Sequence, residues 1–251
     1  MRRAAILLFT LALGCADTTG GALIKFPFSV GGLARSAAGP FTFTTLQGWT
    51  VTLTQAQITL GPFYFNINPP TPIAFRNGRV IVQVTNQVTV DVLDPTLHAV
   101  PGGADGETGL AVAVEIDLLG PNPTASLQNV GVVQGTATRN GVTVPFAGNI
   151  SIDISVANTQ NPPEGLERVN GAVTNLDFAA QTQSMQLRVD PSVWFDSDQC
   201  DFSALLANPP VAGNYAWDGV DCSKTPAACS FRGGLEKGIK QLTGVYSFQV
   251  F

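Results

Sequence analysis

The sequence predicts an all-β protein, an antiparallel two-sheet sandwich with little helix. Three observations carry that prediction. Val, Thr, Ile and Phe alternate with Asn/Gly turns, and no Ala/Glu/Lys/Leu/Arg bias towards helix is present. Apolar residues recur with a period of two in one segment after another. Hydrophobic residues reach 45% against 12% charged, with 26 Gly and 17 Pro, so apolar surface is ample to offset ordering entropy and turns are frequent. A chain of 251 residues suits one sandwich domain, which we place at residues 22–251.

The strands follow in order. In GWTVTLTQAQITLGPFYF (48–65), Trp49, Val51 and Leu53 share one face, Ile58 and Leu60 switch parity, and Phe63 and Phe65 follow Gly61-Pro62. The two phase changes predict a bulge near Gln55 and a break at Gly61-Pro62. RVIVQVTNQVTVDV (79–92) keeps its valines on one parity and reads as one long strand or as a hairpin centred near Asn86. GLAVAVEIDLL (109–119) points Val112, Val114, Ile116 and Leu118 inwards. Asn140-Gly141 is the clearest hairpin turn, because both residues accept positive φ. Ile150, Ile152, Ile154 and Val156 alternate after it, and residues 157–171 read as a surface loop. SMQLRV (184–189) and GVYSFQVF (244–251) add two strands. Asp190-Pro191 is expected to cap a short turn through Trp194 and Phe195. Ala227, Phe231, Leu235 and Ile239 are spaced as on a helix that Gly233, Gly234 and Gly238 weaken.

The N-terminus is an address rather than part of the fold. Arg2 and Arg3 precede an apolar core, Ala4 to Leu13, too short to span a bilayer. Ala12-Leu13-Gly14-Cys15 resembles the lipobox of bacterial lipoprotein signal peptides. That resemblance implies removal of residues 1–14, lipid on Cys15, and a flexible tether over 15–21; Ala16 after the cysteine implies the outer membrane. Two or more acyl chains hold a protein that one would hold loosely, at ~0.8 kcal/mol per buried CH₂. Ala12 and Leu13 depart from the Leu and small residue that the family prefers there. Ala12-Leu13-Gly14 also resembles the A-x-A site of ordinary signal peptides, which would give a soluble periplasmic or secreted protein.

Export favours oxidation of Cys200, Cys222 and Cys229, and a bridge from Cys200 to either of the others would join two late loops. The rest of the chain offers few chemical groups. The formal charge is −5, and loss of Arg2 and Arg3 makes it −7, with no Lys/Arg cluster to neutralise phosphates; nucleic acid is excluded as a partner. His98 is the only histidine and no G-x-S-x-G elbow occurs. Glu115 and Asp117 share a strand face ~7 Å apart. A hydrolase would have to use that pair or His98, but their alternation with valines reads as an outward face. Asp196, Asp198 and Asp201 surround Cys200, while Asp218 and Asp221 flank Cys222. A disulfide between these loops would gather carboxylates fit for calcium beside Trp194 and Trp217, whose rings could stack on a sugar if exposed. Phe251 resembles the terminal aromatic of outer-membrane barrels, but Tyr246, Phe248 and Val250 lie out of phase with it, so 244–251 is read as a core strand. These readings favour a non-catalytic cell-envelope lipoprotein with an unknown protein or glycan ligand, ahead of a calcium-dependent binding module and a hydrolase.

Overall fold

The period-two segments form strands, and the turn residues fall between them. A computed structural model describes residues 20–34, 40–69, 78–119, 127–153, 168–207, 210–218 and 226–251. The first strands in chain order are β1 (Leu23–Phe26), β2 (Phe28–Gly32), β3 (Phe41–Thr44), β4 (Thr50–Leu60) and β5 (Phe63–Asn66). Next come β6 (Val80–Val84), β7 (Val88–Asp91), β8 (His98–Ala99), β9 (Ala104–Glu107) and β10 (Gly109–Asp117). The last are β11 (Leu127–Arg139), β12 (Val142–Asp153), β13 (Arg168–Phe178), β14 (Met185–Val189) and β15 (Tyr246–Val250). Short 3-10 helices span Pro191–Phe195 and Phe202–Ala207, and α1 spans Pro226–Ile239.

The all-β, largely antiparallel prediction holds, with three hydrogen-bonded sheets in place of two. The first runs β1-β9-β6-β5-β10-β13, the second β15-β14-β2-β8, and the third β12-β11-β4-β3 with β7 also on β4. All pairings between these strands are antiparallel except β14 with β2. The first two sheets face each other through aromatic rings: Phe28 meets Phe63 edge-on at 4.9 Å, and Phe65 meets Phe248 at 5.5 Å. The third sheet is covered instead by the helical segments, through Phe146–Phe202 at 4.9 Å and Trp49–Phe202 at 5.6 Å. Buried residues from all three sheets and the helices form one contiguous core.

The third sheet and the first are joined by a bent ribbon. In β4, Gln55 pairs Gln134 while Leu53 pairs the next residue, Gly135, so Thr54 is the extra residue of a bulge. Val51 and Leu53 are therefore buried before it, and Ala56, Ile58 and Leu60 after it. The chain then breaks at Gly61-Pro62 and continues as β5 in the first sheet. Residues 79–92 form neither one straight strand nor a hairpin at Asn86. Instead β6 pairs β5 and β7 pairs β4, so they follow the ribbon round the same corner. Asn86 sits at that corner and its Nδ2 donates to the Pro101 carbonyl at 2.9 Å. One parity of valines suits both halves because each faces the core of its own sheet.

Several local expectations are met. Asn140 and Gly141 take φ of 53° and 78°, closing the β11–β12 hairpin. Asp190 caps the Pro191–Phe195 turn and accepts from Ser192 N at 2.9 Å. β15 buries Tyr246, half-buries Phe248 and Val250, and pairs β14 as a closing strand. In β10, Val114, Ile116 and Leu118 are buried as expected, but Val112 sits at a register shift and is only half-buried. Ile154, Val156 and most of 157–171 lie outside the described residues; β13 begins at Arg168.

Helix α1 forms despite its glycines, and packing explains them. Its buried face is Ala228, Phe231, Gly234, Leu235, Gly238 and Ile239, while Ala227 is exposed. A Cβ on Gly238 would lie 2.1 Å from the Trp194 carbonyl oxygen, and one on Gly234 2.7 Å from Cys200 Sγ. The helix backbone rests directly on the turn beneath it, which only glycine permits.

Candidate functional site

The acidic loops that follow β14 split between two structural contacts. Trp49 opens β4 and Arg139 closes β11, and the pairing of Thr50 with Thr138 places them side by side. Arg139 Cζ lies 4.3 Å from the Trp49 ring centroid, and its Nη1 donates to the Gln47 carbonyl at 2.9 Å. Asp201 completes the knot. Its Oδ1 accepts from Trp49 Nε1 at 2.8 Å, from Ser203 N at 3.0 Å and from Arg139 Nη2 at 3.2 Å. Burial pulls the Asp201 carboxyl upward, yet the Ser203 amide, Trp49 indole, Ser203 hydroxyl and Arg139 charge outweigh it and hold it below the usual range. The knot fastens the helical layer to the third sheet.

Asp218 serves a different strand. Its Oδ2 accepts from Asn149 Nδ2 at 2.9 Å, and the neighbouring Trp217 Nε1 donates to the Asn149 carbonyl at 2.8 Å. Asp196 is raised above its usual range, first by burial and then by the Asp190 charge. Asp198 accepts from the Ser197 hydroxyl at 3.3 Å. Asp221 lies outside the described residues. Among the described residues, no three carboxylates, thiols or imidazoles gather around one metal position, so the expected convergence of these loops is not assembled there. Trp194 and Trp217 are both fully buried. Trp217 packs on Phe231 at 5.1 Å, and neither ring presents a face to a sugar.

The expected bridge from Cys200 is corrected. Cys200 is a free, buried thiol with Sγ 3.9 Å from the carbonyl oxygens of Trp194 and Phe231, whereas Cys229 is disulfide-bonded. Cys222 lies outside the described residues. Cys200 packs beneath α1. Burial, then the charges of Asp196 and Asp198, push the Cys200 thiol up to about 12. We expect iodoacetamide at pH 8 to leave Cys200 unmodified in the folded protein and to alkylate it after denaturation. Rapid labelling without denaturant would contradict this burial.

Glu115 and Asp117 lie two residues apart on β10, and His98 lies on a different sheet. Glu115 is 1% exposed in β10, in register with Tyr64 on one side and Asn170 on the other. Its predicted outward face is therefore corrected: both faces of this central strand are covered, so alternation no longer distinguishes core from solvent. Asp117 is half-buried two residues on. His98 lies exposed on β8, at the edge of the second sheet, with Nε2 3.6 Å from Asp94 Oδ2. The Thr96 amide, the Thr96 hydroxyl and then His98 lower the Asp94 carboxyl.

One surface escaped the sequence reading. The chain enters the fold at the edge of the first sheet. Gly21 N donates to Glu107 Oε2 at 3.0 Å, Ala22 N to Thr108 Oγ1 at 2.9 Å, and Thr108 N returns a bond to the Ala22 carbonyl at 2.8 Å. Glu107 also pairs with Arg79. A groove of about 570 Å³ crosses β1, β9 and β6, lined by Leu23, Ile24, Lys25, Ile81, Asp105 and Glu107. Leu23 is 91% exposed beside it. Its sequence signal was only an apolar residue at the start of a strand, which is common in core strands too.

No family model matches the chain, and no curated protein matches it. Among solved structures it is similar to MbnP from Methylosinus trichosporium, at 10% identity over 91% of this chain and 98% of that one, with a TM-score of 0.34. So loose a superposition carries no argument about fold or activity.

Proposed function

We propose that this protein is a non-catalytic cell-envelope lipoprotein, held at the outer membrane by lipid on Cys15, whose sandwich binds or scaffolds another envelope component. The observation that carries the reading is the junction of signal and fold. A charged and apolar leader ends at Gly14-Cys15, and the sheet takes hold of the backbone at Gly21, six positions later. Such a short span suits a body carried at a lipid surface. The sites of Glu115 and His98 support binding over hydrolysis. In the Glu115/Asp117 pair, Glu115 is buried inside a sheet and closed to a substrate, and His98 is an exposed imidazole on a different sheet.

Intact mass and detergent-phase partitioning of protein from its own envelope test the reading. The expected result is a mature chain beginning at Cys15, heavier by its acyl groups and found in the detergent phase. An unmodified amino-terminal cysteine in the aqueous phase would overturn it.

A further inference from the structure

Three of the eight large apolar side chains exposed among the described residues lie near where the chain enters the fold. Leu23, Ile67 and Leu110 are 91%, 40% and 53% exposed, and the sheet register brings them to one end of the first sheet. Leu23 pairs Glu107, Glu107 pairs Arg79, and the Arg79 carbonyl accepts from Ile67 N at 3.2 Å. Asn66 pairs Ala113, so Ile67 and Leu110 both lie just past that pair. The N-terminal tether leaves from this same end, through Gly21 and Ala22.

We infer that this end is a membrane-docking face, on which Leu23, Ile67 and Leu110 rest in the interfacial layer of the bilayer. The inference rests on the reading of Cys15 as the lipid anchor. Three points select a bilayer as the occupant. Six peptide steps from Cys15 to Gly21 extend at most ~21 Å, so an anchored body keeps this end near the headgroups. Apolar side chains placed there gain by entering the headgroup–acyl boundary. Charge agrees as well. The mature body is strongly acidic, yet this edge balances Asp105 and Glu107 with Lys25, in register with Asp105, and with Arg79. Asp177, opposite Leu110, adds one further carboxylate, so repulsion from anionic lipid is reduced at the β1–β9 edge of this end. The other end of the β4–β5 ribbon carries Leu46 and Val142, also exposed, but it lies away from the tether and serves as the control.

The test uses the full-length lipoprotein reconstituted into phosphatidylcholine/phosphatidylglycerol vesicles with brominated acyl chains. An environment-sensitive fluorophore is placed in turn on Leu23→Cys, Leu110→Cys, Leu46→Cys and Val142→Cys. Quenching at 23 and 110 is expected to exceed that at 46 and 142 several-fold. A Leu23→Ser/Ile67→Ser/Leu110→Ser variant with the fluorophore on Lys25→Cys should stay with the vesicles yet lose most of the quenching that Lys25→Cys alone shows. Acylated protein quenched equally at both ends would overturn the docking face and leave the anchor standing. Unacylated protein that never joins the vesicles would overturn both.

Discussion

Gly238→Ala is expected to destabilise the protein by about 3 kcal/mol, near the upper end of the range for overpacked sites. The added methyl would lie 2.1 Å from the Trp194 carbonyl oxygen and 2.7 Å from its carbon. Both are backbone atoms, so no rotamer change relieves the clash, and α1 must lift from the Pro191–Phe195 turn. For a chain of this size the melting temperature should fall by roughly 6–12 °C. Gly233→Ala is the matched control. An added Cβ there would lie 3.7 Å from Gln199 Oε1, an ordinary contact, so the gain in helix propensity of up to about 1 kcal/mol should dominate. Thermal unfolding of the two variants decides the matter. Equal losses would mean that glycine serves the helix in some way other than close approach.

The second large effect is expected at Asp201. Asp201→Ala removes the acceptor of the Trp49 indole N–H and the ionic partner of Arg139. Trp49 is 1% exposed, so its N–H has little access to water in compensation. A loss of about 2–3 kcal/mol follows from the usual cost of such orphaned donors. Asp201→Asn keeps an acceptor for the indole and should recover part of it. The pH dependence has a definite sign. Because the folded protein holds the Asp201 carboxyl below the ordinary aspartate value of 3.8, its contribution is complete above that value and disappears as pH falls through the lower folded value. The acid limb of the stability curve should therefore flatten in Asp201→Ala. Asp196 works in the opposite direction. Its folded value is raised by burial and by Asp190, so its stabilising effect is present below 3.8 and is lost as pH rises through the folded value. Chemical denaturation from pH 2 to 6 separates the two, and an unchanged acid limb in Asp201→Ala would remove Asp201 as its source.

Much of the fold was legible because it is written in local pattern. The period of two marks strands, a change of parity marks the bulge at Thr54 and the break at Gly61-Pro62, and Asn140-Gly141 marks its hairpin. Asp190-Pro191 declared its cap for a similar reason, since the side chain satisfies an amide only two residues away. The candidate site was far less legible. Asp196, Asp198, Asp201 and Asp218 form an acidic cluster in sequence, but the contacts that fix two of them go to residues far away along the chain. Asp201 reaches Trp49 and Arg139, and Asp218 reaches Asn149. Cys200 could be counted as a bridge candidate from export alone, but its packing against Trp194 and Phe231 could not be seen.

By itself, then, the sequence determined strand-rich architecture, the turns and the residue types available for chemistry, because each depends on neighbours within a few positions. Tertiary structure alone decided that residues 79–92 turn a corner between sheets, that Glu115 is buried on a strand covered on both faces, and that glycines in α1 are contact points. It also decided that Leu23, Ile67 and Leu110 are exposed at one end of the first sheet. Each of these depends on what lies across a sheet or under a helix, and hydrophobic burial and backbone contact act through space, whatever the separation along the chain.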